Sequence, residues 1–251
     1  MPAEESTAAI VLRARDYSES DRIVTLLTRE FGKLSGIAKG AKASRRRFER
    51  KLEPFSHVNL FFKRRPQGQL VFITRAEPGD SRPPMIEDDL GKIALGSYML
   101  ELADALTSEE AEAADAYHVL VRALDTLGSG GATLAMRQSF ELHILRAAGF
   151  GLDFGLCRIC ADFSGAAGNA VYFVVSRGGI VCTRCRPNAP EGAVRLALTS
   201  ASALATLAGA PLEDAAIHTH AGSDGALAIT RFLASILDRK LRSIEFLNSL
   251  L

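Results

Sequence analysis

Four cysteines in two CxxC pairs are the residues whose types and spacing most clearly indicate chemistry. Cys157 pairs with Cys160 and Cys182 with Cys185, and 21 residues separate the two pairs. Two intervening residues let both thiolates of a pair reach one ion, and two such pairs supply the four sulfur ligands of a tetrahedral Zn(II) site. Four thiolates leave no coordination position for water or substrate. The pattern therefore predicts one structural zinc ion and not a catalytic metal centre.

Two disulfides or a redox dithiol would also use cysteines in CxxC pairs. Disulfide frameworks are typical of short secreted domains, whereas this chain has 251 residues and begins MPAEES without an apolar signal segment. A redox dithiol needs only one CxxC pair. No apolar run is long enough to span a bilayer. We therefore expect a reducing, cytoplasmic location that leaves the thiols available for metal.

Charge is divided unevenly along the chain. The formal net charge is only +1, but residues 1–82 carry 17 Lys and Arg against 10 Asp and Glu, whereas the remaining residues carry 13 against 19. A basic first part joined to an acidic remainder indicates that the first part binds a polyanion and that the remainder binds a different kind of partner.

The positive charge concentrates in the segment KGAKASRRRFERK at residues 39–51, whose Gly and Ser content predicts a mobile first half. A phosphate backbone fits such a cluster, because phosphate contacts release counterions without reading base identity. Phe48 and Phe55 flank the cluster as candidates for base stacking, with burial in a core as the alternative for each. Together with a second cluster on the next loop, the predicted DNA-binding residues are Lys33, Lys39, Lys42, Arg45, Arg46, Arg47, Arg50, Lys51, Lys63, Arg64 and Arg65.

The elements that must position these residues predict a multidomain α+β protein. Five short strands with a longer excursion between the third and fourth favour a small closed barrel of the OB type; they lie at residues 8–14, 22–28, 34–38, 57–63 and 69–74. Helical periodicity then predicts helices at residues 86–105, 109–127, 133–148, 199–208 and 227–247. A hairpin that turns at Arg177-Gly178-Gly179 carries the second CxxC pair.

These patterns predict three parts in the chain. They are an OB-fold nucleic-acid-binding domain at residues 1–80, a helical domain in two pieces at residues 81–156 and 187–251, and a zinc finger inserted at residues 157–186. The chain contains no Walker loop and no GxGxxG, HExxH or GxSxG motif. We therefore expect a binding protein and not an enzyme, without catalytic residues.

Three phrases resemble the bacterial RecO family of recombination mediators. They are VLRARDYSESDRIVTLLTREFGKLSGIAKGAKASRRRF near the amino terminus, LRSIEFL near the end, and the CxxC pairs around VYFVVSRGGIVC. The most specific part runs from Glu19 to Gly40, and the likeness spans nearly the whole chain. The resemblance implies an OB-fold domain, a helical domain and a zinc finger inserted between helices.

The resemblance also implies a function in DNA repair at the nucleoid. It implies binding of single- and double-stranded DNA, annealing of complementary strands without ATP and, with the partner RecR, loading of RecA onto strands coated by single-stranded DNA-binding protein. The acidic tail of that protein would need a basic contact, for which the candidates are Arg231, Arg239, Lys240 and Arg242 on the predicted last helix. Two other classes stay open: an RNA-binding or translation-related protein, and a scaffold that docks an acidic protein.

Overall fold

The computed structural model describes residues 3–44, 47–48, 51–64, 70–79, 86, 89–109, 113–162, 170–188 and 190–251. It divides into two compact units, Met1–Ser129 and Gly130–Leu251. The division does not coincide with the predicted boundary after residue 80, because two helices beyond that point group with the barrel. Within the described ranges, no helix combines the length and the apolarity needed to cross a bilayer.

The first unit is built on a barrel of five strands, which are β1 Glu4–Asp16, β2 Arg22–Thr28, β3 Gly32–Ala38, β4 His57–Lys63 and β5 Val71–Pro78. The barrel is closed, with the strand order β1-β2-β3-β5-β4. The 13-residue strand β1 pairs with β4 through its first half and with β2 through its second, and the register shifts between Val11 and Arg13. A short parallel contact between β3 and β5 closes the barrel, so the predicted OB-like barrel is confirmed.

Glycine is required at the point where the barrel closes. A Cβ atom on Gly36 would lie 2.7 Å from Cγ1 of Ile73 and 2.9 Å from Cγ2 of Val71. Any other residue would force these two buried side chains apart, whereas glycine lets β3 approach β5 closely. The barrel interior is filled by alternating apolar residues of all five strands, among them Val24, Leu26, Leu34, Leu60 and Phe62.

Two helices pack on the barrel, α1 Leu90–Leu106 and α2 Ala114–Ser129. The first begins at Leu90 and not at residue 86, because the Asp89 carboxylate accepts a hydrogen bond from the backbone N–H of Lys92 and caps the helix there. The ring of Phe55 lies against α1, where a Cβ on Gly96 would come within 2.9 Å of it. Facing α2, Nε2 of His57 lies 2.5 Å from the Tyr117 hydroxyl.

The second unit surrounds a three-stranded sheet with helices. Thr133 caps α3 Leu134–Ala147 through the N–H of Met136, and Gly149 follows the helix with φ +87°, the left-handed conformation expected of a glycine at that place. The predicted hairpin is present as β6 Ala170–Val174 and β7 Gly179–Cys182. A third strand that the sequence patterns did not indicate, β8 Val194–Ala197, pairs with the free edge of β6.

The last predicted helix is wrong in extent. The chain forms α4 Leu198–Gly209, then α5 Ser223–Ile236, and after an irregular stretch a short α6 Ser243–Asn248. Leu237 is extended and ends α5. Leu241 and Leu247 are nevertheless buried. The apolar spacing therefore persists across a break in the backbone, which is why periodicity alone predicted one continuous helix.

Asp224 joins the start of α5 to β8 and α4. Its carboxylate accepts hydrogen bonds of 2.7 Å from the Ala197 N–H and of 2.7 Å from the Ser200 hydroxyl. Burial opposes ionisation, but these bonds and one from the Gly225 N–H outweigh it and lower the pKa of Asp224 below its usual value. The ionised carboxylate therefore contributes to the stability of this unit.

Candidate metal centre and nucleic-acid interface

The four cysteines converge in the second unit. All four sulfur atoms lie within 4.8 Å of one another, and Sγ of Cys160 is 3.9 Å from Sγ of Cys182. A tetrahedral zinc site with Zn–S bonds of about 2.3 Å places its sulfurs about 3.8 Å apart. The cysteines come from the loop after α3 and from the end of β7, and the N–H of Arg158 in this loop donates to the carbonyl of Ile180 in β7 at 2.8 Å. The arrangement confirms a four-cysteine cluster able to hold a metal ion.

Each CxxC pair forms a tight turn. In the first pair, the N–H of Ala161 donates to the carbonyl of Cys157 at 2.8 Å, and Ala161 adopts φ +55°. In the second pair, the N–H of Cys185 donates to the carbonyl of Cys182 at 3.1 Å. Such turns point both thiols of a pair to one side, and Ala161 occupies a left-handed position that glycine adopts more readily.

The electrostatics of the cluster fit a divalent cation. Burial opposes ionisation of Cys157, but backbone N–H groups that donate to its sulfur, including that of Cys182 at 3.3 Å, lower its pKa to about 6. Burial and the neighbouring sulfurs raise the pKa of Cys185 to about 12. Crowded thiolates without a cation repel one another, and a bound divalent cation removes this repulsion. Soft sulfur ligands in this geometry favour zinc.

The cysteine turns rest on a well-packed sheet. Phe154 stacks on Phe173 of β6 with ring centroids 5.5 Å apart, and Phe173 meets Phe232 of α5 edge to face. A Cβ on Gly179 would lie 2.8 Å from the carbonyl oxygen of Asp153, so only glycine fits where the loop before Cys157 crosses β7. The finger is therefore continuous with the core of its unit.

The basic segment at residues 39–51 is attached to the barrel at several points. The N–H of Gly40 donates to the Asp21 carboxylate at 2.9 Å, and the N–H of Lys42 donates to the carbonyl of Ser20 at 3.1 Å. The carbonyl of Arg47 accepts from the N–H of Ala76 at 3.1 Å. These bonds hold the described part of the segment against the barrel, and the mobility of its first half stays a prediction.

Phe48 and Phe55 differ in how far their rings are buried. Phe48 is 3% exposed and belongs to the barrel core, with the Arg47 guanidinium 5.0 Å from its ring centroid. Phe55 is half-buried, and its ring packs against Gly96 of α1. The core alternative is therefore correct for Phe48, whose side chain covers apolar surface of the barrel interior that would otherwise contact water. For the half-buried Phe55, base stacking stays a prediction.

Several predicted DNA contacts are engaged in ion pairs instead. Nζ of Lys33 lies 3.3 Å from Oδ1 of Asp104 and donates to the Asp104 carbonyl at 2.7 Å, with only 15% of its side chain exposed. Lys42 pairs with Asp16 at 2.8 Å. Arg64 pairs with Glu5 at 3.2 Å. Lys33 is thereby corrected from a DNA contact to a structural residue, because its ammonium is bound to the end of α1.

Three predicted cations are not held in ion pairs. Lys39 and Arg47 are exposed and Lys51 is half-buried, and none of the three has an ion pair within the described part of the chain. The Arg47 guanidinium donates to the Lys39 carbonyl at 3.1 Å, which holds the two residues together. Lys63, opposite Glu4 across β1 and β4, is half-buried. Four further predicted residues, Arg45, Arg46, Arg50 and Arg65, lie outside the described residues.

The barrel surface carries a basic groove that the clusters of charge in the sequence did not indicate. Arg13 and Arg15 of β1 point outward beside Thr25 of β2 and Ser35 of β3, and these residues line a groove on the barrel surface. Arg13 also lies 3.7 Å from Asp104. Alternation along β1, where Arg13 and Arg15 flank Ala14, was the signal that could have indicated them, but two arginines in a strand do not form a charge run.

Comparison with known families assigns both parts of the chain. Residues 1–82 match the family model described as Recombination protein O N terminal, and residues 87–245 match Recombination protein O C terminal. The chain belongs to the RecO family. The two RecO models meet between residues 82 and 87, close to the boundary predicted after residue 80.

Curated RecO relatives cover almost the whole chain. The DNA repair protein RecO of Anaeromyxobacter sp. (strain Fw109-5) is 38% identical over 246 residues, which is 95% of this chain and 93% of the relative. That of Nocardioides sp. (strain ATCC BAA-499 / JS614) is 35% identical over 245 residues, 96% of this chain and 97% of the relative. The predicted resemblance to RecO is therefore confirmed.

The basic residues near the end of the RecO chain do not share one helix. Arg231 lies on α5 and donates to the carbonyl of Gly192 at 3.1 Å. Arg239, Lys240 and Arg242 lie in the irregular stretch between α5 and α6. All four are exposed. The predicted helical face is thus corrected to a helix position followed by a loop, and a role in binding an acidic partner stays a prediction.

Proposed function

We propose that this RecO-family chain is a DNA repair protein that binds single- and double-stranded DNA and anneals complementary strands without ATP. The observation that carries the proposal is the positive charge of Lys39, Arg47 and Lys51, which is outside any ion pair of the described residues and lies on a segment fastened to the barrel. Several cations elsewhere on the barrel have carboxylate partners, as Arg22 has in Asp16 and Glu53. Phosphates are therefore expected to bind at this segment, where they replace water and not an existing ion pair.

Annealing follows from charge neutralisation. Two complementary strands repel through their phosphates, and a protein that neutralises both while leaving base edges free increases the rate at which they meet. Backbone contacts of this kind need no nucleotide hydrolysis and no catalytic residue. The groove beside Arg13 and Arg15 offers a path for one strand on the same barrel. Arg45, Arg46, Arg50, Lys63 and Arg65 remain proposed contacts, whereas Lys42 and Arg64 already have the carboxylate partners Asp16 and Glu5.

We also propose that the protein acts together with protein partners. The chain would act with RecR, displace or remodel single-stranded DNA-binding protein, and so help RecA to load. Arg231, Arg239, Lys240 and Arg242 are the proposed contacts for the acidic tail of single-stranded DNA-binding protein, because four exposed cations on one helix and the following loop suit a flexible acidic segment.

One Zn(II) per chain is proposed to fill the four-cysteine cluster as a structural ion. The expected measurement is one zinc per chain by metal analysis of the purified protein. Cys157→Ser should lose the metal and destabilise the second unit while leaving the affinity for duplex DNA, which the barrel is proposed to bind, nearly unchanged. A loss of duplex affinity in a variant whose melting temperature is unchanged would contradict a purely structural role.

The test of the proposed function is annealing of complementary strands precoated with single-stranded DNA-binding protein, without ATP. A Lys39→Gln/Arg47→Gln/Lys51→Gln variant should bind and anneal more weakly for all sequences. The slope of log affinity against log salt should fall by about 2, since each lost contact to a single strand removes about 0.7. The matched control is Lys42→Gln, whose charge is already paired with Asp16. Unchanged affinity and slope in the triple variant would refute the assignment.

A further inference from the structure

The outer face of the three-stranded sheet carries an aromatic residue between arginines. On β6 the side chains alternate, so that Val171 and Phe173 are buried while Tyr172 lies on the opposite face and is half-exposed. The cross-strand neighbours of Tyr172 are Val181 on β7 and Arg195 on β8. Val181 packs with the cysteines, so the metal cluster and Tyr172 share this face.

Two arginines near Tyr172 have no acidic partner within the described ranges. The guanidinium carbon of Arg186 lies 5.2 Å from the centroid of the Tyr172 ring, and Arg195 is exposed. Neither makes an ion pair among the residues that the structure describes. Two other arginines of the finger do have partners, since Arg158 pairs with Asp153 at 3.5 Å and Arg184 with Asp162 at 3.6 Å. Positive charge without ion-pair partners therefore gathers around the tyrosine.

The cysteine turn fixes part of this arrangement. Arg186 directly follows Cys185, and its N–H donates to the carbonyl of Thr183 at 3.3 Å. The N–H of Asn188 donates to the carbonyl of Cys185 at 3.0 Å. A metal ion held by the cysteines would keep the backbone of Arg186 in place beside Tyr172. The site is thus built on a strand and a closed turn, which suits precise contact with a ligand.

We propose that Tyr172, Arg186 and Arg195 form a second contact site for single-stranded DNA. This inference rests on the proposed DNA-binding function and adds a site outside the barrel. Guanidinium and phenol planes stack on unpaired bases, and the arginine N–H groups donate to phosphate oxygens on either side of the base. Bases in a duplex are stacked on each other and do not offer a free face, so the site is expected to prefer single strands.

Fluorescence provides a direct test because the natural chain contains no tryptophan. Tyr172→Trp in the full-length, zinc-loaded protein places a single tryptophan at the site. Oligodeoxythymidylate should quench its emission by stacking, whereas duplex DNA should quench it less. The matched control is Ile217→Trp, at a position of the same unit that is 80% exposed. Its emission should not change when the oligonucleotide binds.

Affinity measurements separate stacking from charge. Tyr172→Leu should weaken binding of a fluorescein-labelled oligodeoxythymidylate about ten-fold and Tyr172→Phe much less. Arg186→Gln/Arg195→Gln should lower the salt slope by about 1.4, two contacts at about 0.7 each. Arg177→Gln, an exposed arginine at the hairpin turn, is the control and should bind like the natural protein. Each variant is first checked for bound zinc and an unchanged melting temperature.

The outcomes distinguish this site from the barrel. If the oligonucleotide binds without quenching the Tyr172→Trp variant and its affinity does not respond to the arginine changes, the site is overturned and the proposed function stays intact. Quenching of the same variant by polyglutamate but not by the oligonucleotide would assign the face to an acidic protein and also overturn the inference. No binding of DNA by the natural protein would refute the proposed function and this site with it.

Discussion

Replacing Lys33 by methionine should destabilise the first unit without weakening DNA binding. Lys33 lies on β3 and reaches the end of α1, where its ammonium contacts both the carboxylate and the backbone carbonyl of Asp104. The Thr107 N–H donates to the Ala103 carbonyl, so the Asp104 carbonyl is among the last of the helix and suits a cation. Lys33→Met keeps most of the apolar stem and removes only the charge.

The magnitude follows from burial. Asp104 is 5% exposed, and breaking a buried ion pair by removing one partner costs about 3 to 5 kcal/mol. Arg13 stays 3.7 Å from the carboxylate and partly compensates it, so we expect a smaller cost of about 2 to 3 kcal/mol. For a chain of this size the melting temperature should fall by about 4 to 12 °C.

The measurement is calorimetric unfolding together with DNA titration at a temperature where the variant is folded. Lys39→Met is the matched control: its lysine is exposed, so stability should hold while DNA affinity falls. Adding Asp104→Asn to Lys33→Met should cost less than the sum of the two single changes, since both remove the same pair. A Lys33→Met variant that loses DNA affinity as Lys39→Met does, and that keeps the melting temperature of the natural protein, would refute the structural role of Lys33.

Three further changes test the packing and electrostatics of the two units. Ala161→Gly should stabilise the zinc-loaded protein by about 1 kcal/mol in urea unfolding, because glycine adopts the left-handed φ at no steric cost. Destabilisation would contradict the left-handed conformation of residue 161. Gly36→Ala should destabilise the barrel by about 1 to 3 kcal/mol through overpacking against Ile73, and a neutral effect in the same assay would show that the strands can separate. The pKa of Asp224 is lowered, so the stabilisation by its carboxylate is present above the unfolded value of 3.8 and is lost as pH falls through the lower folded value. The Asp224→Asn variant should therefore be less stable than the natural protein at neutral pH and should lose less stability on acidification. Parallel curves of stability against pH for the two proteins would contradict this.

Local features of the protein follow from the sequence alone. The CxxC spacing predicted the tight turn of each cysteine pair, because two intervening residues are enough to form the turn wherever it is placed. Strands β2 and β4 begin and end at the predicted residues, since alternation and turn residues act over a few positions. The cap at Thr133 and the glycine at Gly149 also bounded α3 correctly. Each of these features depends on neighbours in the chain.

Which cations remain available to a polyanion depends instead on the tertiary fold. A count of charges treats Lys33 and Lys39 alike, but Asp104 lies 71 residues from Lys33 and removes it from the surface charge. In the same way, Phe48 follows three arginines in sequence yet fills the barrel. The strand β8 and the break between α5 and α6 likewise depend on what they pack against. Ion-pair partners and burial are set by residues distant in the chain, and neither composition nor periodicity contains them.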